Sequence, residues 1–197
     1  MSCALPPETL ERAIAFHGHS CPGLAIGIRA AELALTRLGH NEQAGLVAVV
    51  ETDMCGVDAI QFLTGCTLGK GNLIHKDLGK MAFSFYSRKT GEGFRALLDP
   101  AGREDLQDKL TTVNRRLAQG TATDEDQETI RAVRREMQER LMQADLEEVF
   151  QVTLLEGDPP RPARVLESLT CASCGERTME SRTRRFAGKT LCIPCFG

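Results

Sequence analysis

Cys171, Cys174, Cys192 and Cys195 stand as two C-x2-C pairs separated by seventeen residues, and no other feature limits so tightly what its stretch of chain can fold into. A segment of about 30 residues buries too little apolar surface to hold itself together. Two knuckles of this spacing supply the four thiolates of a closed tetrahedral zinc site, and metal binding then provides the missing stability. A redox pair and an iron-sulfur cluster use the same letters, but no thioredoxin-like pattern surrounds either pair. Between the knuckles lie Arg177, Arg182, Arg184, Arg185 and Lys189. They read first as a solvated basic face and second as a contact for phosphate or an acidic protein surface.

Ahead of the cysteines, Gly157-Asp158-Pro159-Pro160-Arg161-Pro162 biases the chain toward stiff, extended polyproline II. The sequence therefore divides into a core domain at 1–156, a linker at 157–164 and a zinc finger at 165–197. With 42% hydrophobic and 26% charged residues, the composition is that of an ordinary globular protein. A net charge of −3 lacks the positive field of a dedicated nucleic-acid binder, and the absence of Trp leaves few stacking platforms. Nucleic acid is thus a minor option, confined to the basic finger. No apolar run reaches the roughly 18 to 20 residues that span a bilayer. The start, MSCALPPETLERA, has no basic segment followed by an apolar one. A cytoplasmic location is expected, where eight cysteines read as metal ligands rather than disulfides.

Apolar periodicity predicts helices at about 7–16 and 22–38, the second opened by Pro22 and stopped by Gly39. The continuous run 46–50 reads as a buried strand that delivers Glu51 to Cys55 at its end. A short helix at 57–63, a Gly-rich loop at 64–72 and strands at 73–75, 81–86 and 149–155 follow. Two polar amphipathic helices are predicted at 103–117 and 124–144. The stripe Ile130, Val133, Met137 and Leu141 on the second is expected to pack on another surface. A homodimer is the simplest choice of partner, with the chain's own sheet as the rival.

The segment FHGHSCPG packs His17, His19 and Cys21 into five residues ahead of a Pro-Gly helix start. On an extended run such alternate side chains share one face, so all three are expected to aim at one ion. A second stretch, ETDMCGVDAIQFLTGC, adds Asp53, Cys55, Asp58 and Cys66. Singly, a cysteine is commonly a small core hydrophobe. Gathered on two turns, these residues read as a metal or catalytic site with His17, His19, Cys21 and Cys55 as ligands for zinc or another divalent metal. An open coordination position would activate water or a thiol substrate. Cys21, at a helix N-terminus, has the alternative role of an activated thiolate. In TGCTLGKGN, Lys70 is expected to face an anion or substrate carboxylate, although the loop departs from the Walker pattern. Cys21, Cys55 and Lys70 are therefore the catalytic candidates.

The blocks FHGHSCPGLAIGIRA, ETDMCGVDAIQFLTGCTLGKGNL and DLGKMAFSFYSR resemble the signature segments of the formylmethanofuran dehydrogenase E-subunit family, over roughly residues 8 to 155. The resemblance implies an α+β core of thioredoxin-like type, with a mixed five-stranded sheet flanked by helices and an active site able to hold zinc. It further implies that the terminal cysteines form the treble-clef zinc finger that some members append. The family's histidine-cysteine turn falls on His17, His19 and Cys21, and its second turn on Asp53, Cys55 and Cys66. Some relatives are encoded beside the molybdenum or tungsten formylmethanofuran dehydrogenase of methane-producing microbes, which fixes carbon dioxide as a formyl group. This implies a setting in or beside one-carbon metabolism, with dehydrogenase subunits as partners. The chain has no room for a pterin domain and no ferredoxin-type cysteine run. The implied role is a metal-binding accessory protein, either a zinc-dependent enzyme or an accessory component of the oxidoreductase. The alternatives are a protein that handles metal or molybdenum cofactor, and a ligand-sensing regulator whose finger touches nucleic acid.

Overall fold

A computed structural model describes residues 3–197. The chain forms two units, one ending at Arg161 and the other spanning Pro162–Gly197, so the division falls inside the proline-rich run. In the first unit the order is α1 (Pro7–His17), α2 (Pro22–Leu38), α3 (Asn41–Ala44), β1 (Leu46–Val50), α4 (Gly56–Thr64), β2 (Leu73–His75), β3 (Ala82–Ser87), β4 (Gly93–Leu98), α5 (Glu104–Ala118), α6 (Asp124–Gln143), α7 (Leu146–Val149) and β5 (Phe150–Leu154).

The five strands form one mixed sheet in the order β2-β1-β3-β4-β5, in which only β1 and β2 run parallel. Every residue of β1 is buried, as its unbroken apolar run requires. The helix α2 is buried continuously from Leu24 to Ala34 and packs against α4 and α6. One cluster joins Ala30, Leu33 and Ala34 of α2 to Val50, Phe83, Phe85 and Phe150 of the sheet. A second joins Ala13 of α1 to Leu24, Ala31, Ala59 and Leu63. The core is therefore α+β, with the sheet expected from the resemblance.

The strand β4 is not visible as such in the sequence pattern. Its segment begins with Gly93, which has little strand propensity, and only pairing with β3 and β5 makes it extended. Gly93 is required there, because a Cβ on it would lie 2.6 Å from the Tyr86 ring. The helix α6 starts at a capping box, Thr123 with Asp126. Its stripe is covered by its own chain: Ile130, Val133 and Leu141 are buried, and Met137 packs on the main core cluster. Of the two readings of this stripe, packing on its own chain is the one observed. The helix lies against α2 and α5.

In the second unit, β6 (Ser168–Thr170) pairs with β7 (Arg177–Met179), and after a 3-10 turn at Glu180–Arg182, β8 (Thr183–Phe186) pairs with β9 (Lys189–Cys192). The short helix α8 (Ile193–Phe196) follows directly. No described helix is long and apolar enough to cross a membrane.

Candidate metal centre

The core site is assembled by three helix ends. His17 is the last residue of α1, and Gly18 terminates that helix in the left-handed region at φ 96°. Glycine enters this region without the steric penalty of a Cβ. The chain then reverses through His19 and Ser20 to Cys21, the extended N-cap of α2, whose thiol accepts the Leu24 amide at 3.3 Å. His17 is therefore helical, and the three residues do not lie on one extended run. They converge because a left-handed glycine folds the helix end back, a geometry that alternation alone does not encode.

Cys55 comes from the other turn, as the N-cap of α4. The packing of α4 on α2 brings the two N-termini side by side, with Gly27 and Gly56 in backbone contact. One ligand atom from each of His17, His19, Cys21 and Cys55 lies within 4.8 Å of all the others. Tetrahedral zinc with bonds of about 2.0 Å to nitrogen and 2.3 Å to sulfur has ligand-to-ligand edges of about 3.3 to 3.8 Å. Closing the set requires side-chain adjustments of about 1 Å.

His17 Nδ1 donates to Asp58 Oδ2 at 2.7 Å, and its Nε2 is buried with no hydrogen-bond partner. An orphaned buried nitrogen costs free energy unless something binds it. The carboxylate fixes the tautomer so that Nε2 offers its lone pair, which is the usual outer-shell arrangement for a metal-bound histidine. The ring also lies against His19, with centroids 4.5 Å apart. Burial, and then the adjacent Cys21, push the Cys55 thiol up. Two thiols held this close resist joint ionisation, and a cation between them removes that penalty. The donor set, the orphaned nitrogen and the carboxylate behind it all fit a borderline divalent metal.

The other expected residues lie elsewhere. Cys66 is fully buried in the main core cluster and its thiol donates to the Leu46 carbonyl at 3.3 Å. Burial pushes this thiol up, and it acts as a packed core group. Asp53 is exposed and outside the cluster. Lys70 lies apart from the cluster: its Nζ donates to the Gly65 carbonyl at 3.1 Å, at the C-cap of α4. Cys55 is at the opposite end of that helix, so nine helical residues, or about 13 Å at 1.5 Å each, separate the lysine's anchor from the thiol. The role of Asp58 was not assigned from sequence. The available signal was its position three residues after Cys55, on the first turn of a short helix.

Asp58→Asn keeps the shape and removes the charge behind His17. We expect core metal affinity to fall by about 10- to 100-fold, read by competition with a chromophoric chelator. Unchanged affinity would show that Asp58 has no part in the site.

The second unit holds the other cluster. Cys171 and Cys174 flank the turn after β6, Cys192 ends β9 and Cys195 is carried by α8, with all four sulfurs within 4.8 Å of one another. The backbone amide of Cys174, and then those of Cys192 and Ser173, lower the Cys171 thiol to about 6. A thiolate is thus available at neutral pH to begin metal capture.

These features define a metal-binding protein with a His2Cys2 cluster in an α+β core and a separate four-cysteine zinc finger. Residues 16–151 match the family profile described as FmdE, molybdenum formylmethanofuran dehydrogenase operon, and residues 166–197 match the prokaryotic dksA/traR C4-type zinc finger. The chain belongs to the FmdE family and carries that C4 finger at its C-terminal end. It is 33% identical over 196 residues to a probable S-adenosyl-L-methionine-binding protein of Archaeoglobus fulgidus, matching 95% of this chain and 52% of the relative. The chain thus spans about half the length of that curated relative. The crystal structure of an FmdE-like protein of the tungsten formylmethanofuran dehydrogenase type from Syntrophus aciditrophicus is similar, with a TM-score of 0.64 and 26% identity. That similarity covers 96% of this chain and 91% of the other.

Proposed function

We propose that this protein is a metal-dependent accessory protein of one-carbon metabolism, whose core binds one divalent ion, zinc first, through His17, His19, Cys21 and Cys55. The observation that carries the proposal is the buried, unpartnered Nε2 of His17, oriented by Asp58 and surrounded by three further donors. The setting is supported by the family's association with the formylmethanofuran dehydrogenase operon. It is also supported by the Archaeoglobus relative, described as a probable binder of S-adenosyl-L-methionine, a methyl donor.

A bound ion would supply Lewis-acid chemistry, lowering the pKa of a coordinated water or thiol. Cys21 and Cys55 would hold it from the N-termini of α2 and α4. Asp58 keeps His17 in the ligating tautomer. His19 is the exposed member of the set, on the turn between Gly18 and Cys21. Four protein donors fill a tetrahedral shell, so an open position arises when His19 swings away and the other three remain. The same exposure favours a second role, delivery of metal or molybdenum cofactor to a partner enzyme. Rapid exchange of the core metal without turnover would distinguish it.

The full chain is expected to carry about two zinc ions, and Cys55→Ser or His17→Ala about one, with circular dichroism unchanged. Elemental analysis of the purified proteins reads this directly. Two ions retained in both variants would refute the core site.

A further inference from the structure

The buried charged side chains among the described residues are Arg29, Glu32, Glu51, Arg103 and Asp126. Four of them have an opposite charge against them. Arg29 pairs with Glu32 at 2.9 Å, Glu51 with Arg95 at 2.6 Å, and Asp126 with Arg116. Arg103 alone forms no ion pair among the described residues, although it is 7% exposed. Its single hydrogen bond goes to the Asp99 carbonyl. The Asp99 carboxylate accepts from the Ala101 amide and the Gln151 side chain, so it and Glu104 favour the Arg103 charge only through space, without a direct contact. A guanidinium offers five donors in a planar fork, and here most of them are unused. Burial also works against its charge, so an anion brought to it would be held in a setting where it counts for more than in water.

Arg103 lines a cleft of about 530 Å³ whose walls are otherwise largely apolar, including Ile26, Leu110, Met137 and Leu141. This volume falls within the range of small-molecule sites. The far wall of the cleft is the first turn of α2, at Pro22 and Gly23, directly after Cys21. Gly23 also touches the metal cluster: a Cβ on it would come within 3.2 Å of Cys55 Cβ and 3.7 Å of its Sγ. One cleft is therefore lined both by an arginine that forms no ion pair and by the helix turn that follows Cys21 and touches Cys55.

We infer that this cleft binds an organic carboxylate with an apolar body, its carboxylate on the Arg103 fork and its other end beside the His17–Cys55 metal cluster. The inference rests on the proposed metal site for its chemistry, since that site is what the far end of the ligand would meet. Selection of the ligand comes from Arg103. A neutral or cationic analogue of the same body would leave the guanidinium unpaired or repel it, whereas a carboxylate makes two parallel charge-assisted hydrogen bonds.

The test uses the full zinc-loaded chain with 13C-methyl methionine, titrated with octanoate, 1-octanol and octylammonium. Octanoate is expected to shift the methyls of Met81 and Met137, which line the cleft, and to leave Met179 of the finger unmoved. It should bind at least about tenfold more tightly than octanol. Arg103→Gln should erase that margin and Arg103→Lys should restore part of it. Equal affinity for octanoate and octanol, no binding at about 10 mM octanoate, shifts that miss Met137, or a margin that survives in Arg103→Gln would each overturn the inference. The wild-type comparison stands if the Gln variant does not fold. Metal content measured on the same samples keeps the two proposals apart, because a metal-free core with Arg103-dependent octanoate binding refutes only the metal site. A metal-loaded core indifferent to octanoate refutes only the cleft.

Discussion

Stripping the full chain with a strong chelator is expected to unfold residues 162–197 while the core sheet persists. Within that unit the only described residues that are buried are Cys171 and Cys192, so its interior consists of its own metal ligands. The hairpins β6–β7 and β8–β9 expose most of their side chains, and two-stranded ribbons are marginal alone. Zinc in such sites contributes about 10 to 16 kcal/mol near neutral pH, far more than any other interaction available here. Amide NMR should show Leu169, Thr178 and Leu191 collapsing to unfolded positions in chelator and returning with zinc, while β1 and β3 amides stay dispersed. Hairpin signals that survive in chelator would show that the fold does not depend on metal.

Acid should act in the same direction. The Cys171 thiol lies at about 6 in the folded chain against an ordinary 9.0, so the folded state binds this proton less readily than the unfolded one. A depressed acid contributes stability that is complete above its unfolded value and is lost as pH falls through its folded value. For Cys171 this contribution fades between about pH 9 and about pH 6, and because the unit does not hold its fold without metal it is expressed through zinc, with protons competing for the same thiolate as pH falls.

Much of the site was legible because its letters are chemically unusual. Four cysteines in two knuckles have few other uses, and His17, His19, Cys21 and Cys55 stand out by spacing and residue type before any contact is known. What spacing could not supply was direction. Gly18 turns the chain back from a helix end, and nothing in FHGHSCPG distinguishes that from an extended run. Lys70 shows a related limit: a glycine-rich loop with a lysine reads as an anion site, but the sequence does not say that α4 stands between its anchor and Cys55. The stripe at Ile130 to Leu141 was correctly read as buried, but an apolar face does not say whether its partner is α2 of the same chain or another surface. The strand β4 is fixed by neighbours on both sides and has no strong local signal. Arg103 looks like any surface arginine in sequence, and only its burial without a direct ion pair makes it informative.

The close contact of Gly27 and Gly56 sets the geometry of the whole core site, and Gly27→Ala is expected to damage it severely. A Cβ on Gly27 would lie 2.1 Å from the Gly56 carbonyl oxygen and 2.3 Å from its Cα. These are backbone atoms, and no side chain can rotate out of the way. From the other side, a Cβ on Gly56 would be 2.8 Å from the Gly23 carbonyl and 2.9 Å from Gly27 Cα. Relief therefore demands that α2 and α4 move apart by about 1 Å or more, opening the packed surface around Leu24, Ala59 and Leu63. Overpacking of this kind costs about 3 kcal/mol where the core cannot yield, read as a lower urea midpoint at unchanged slope. Cys21 and Cys55 cap these same two helices, so the shift also widens the cluster beyond the edges a tetrahedral ion accepts. Core metal should fall well below one equivalent under conditions where the variant is still folded, with finger zinc retained. Gly69→Ala is the control, since a Cβ there meets nothing within 4 Å, and its stability should stay within about 0.5 kcal/mol of wild type. A Gly27→Ala protein with normal stability and full core metal would mean that the two helices are not held at this distance. The placement of Cys21 against Cys55, on which the metal site depends, would then be lost with it.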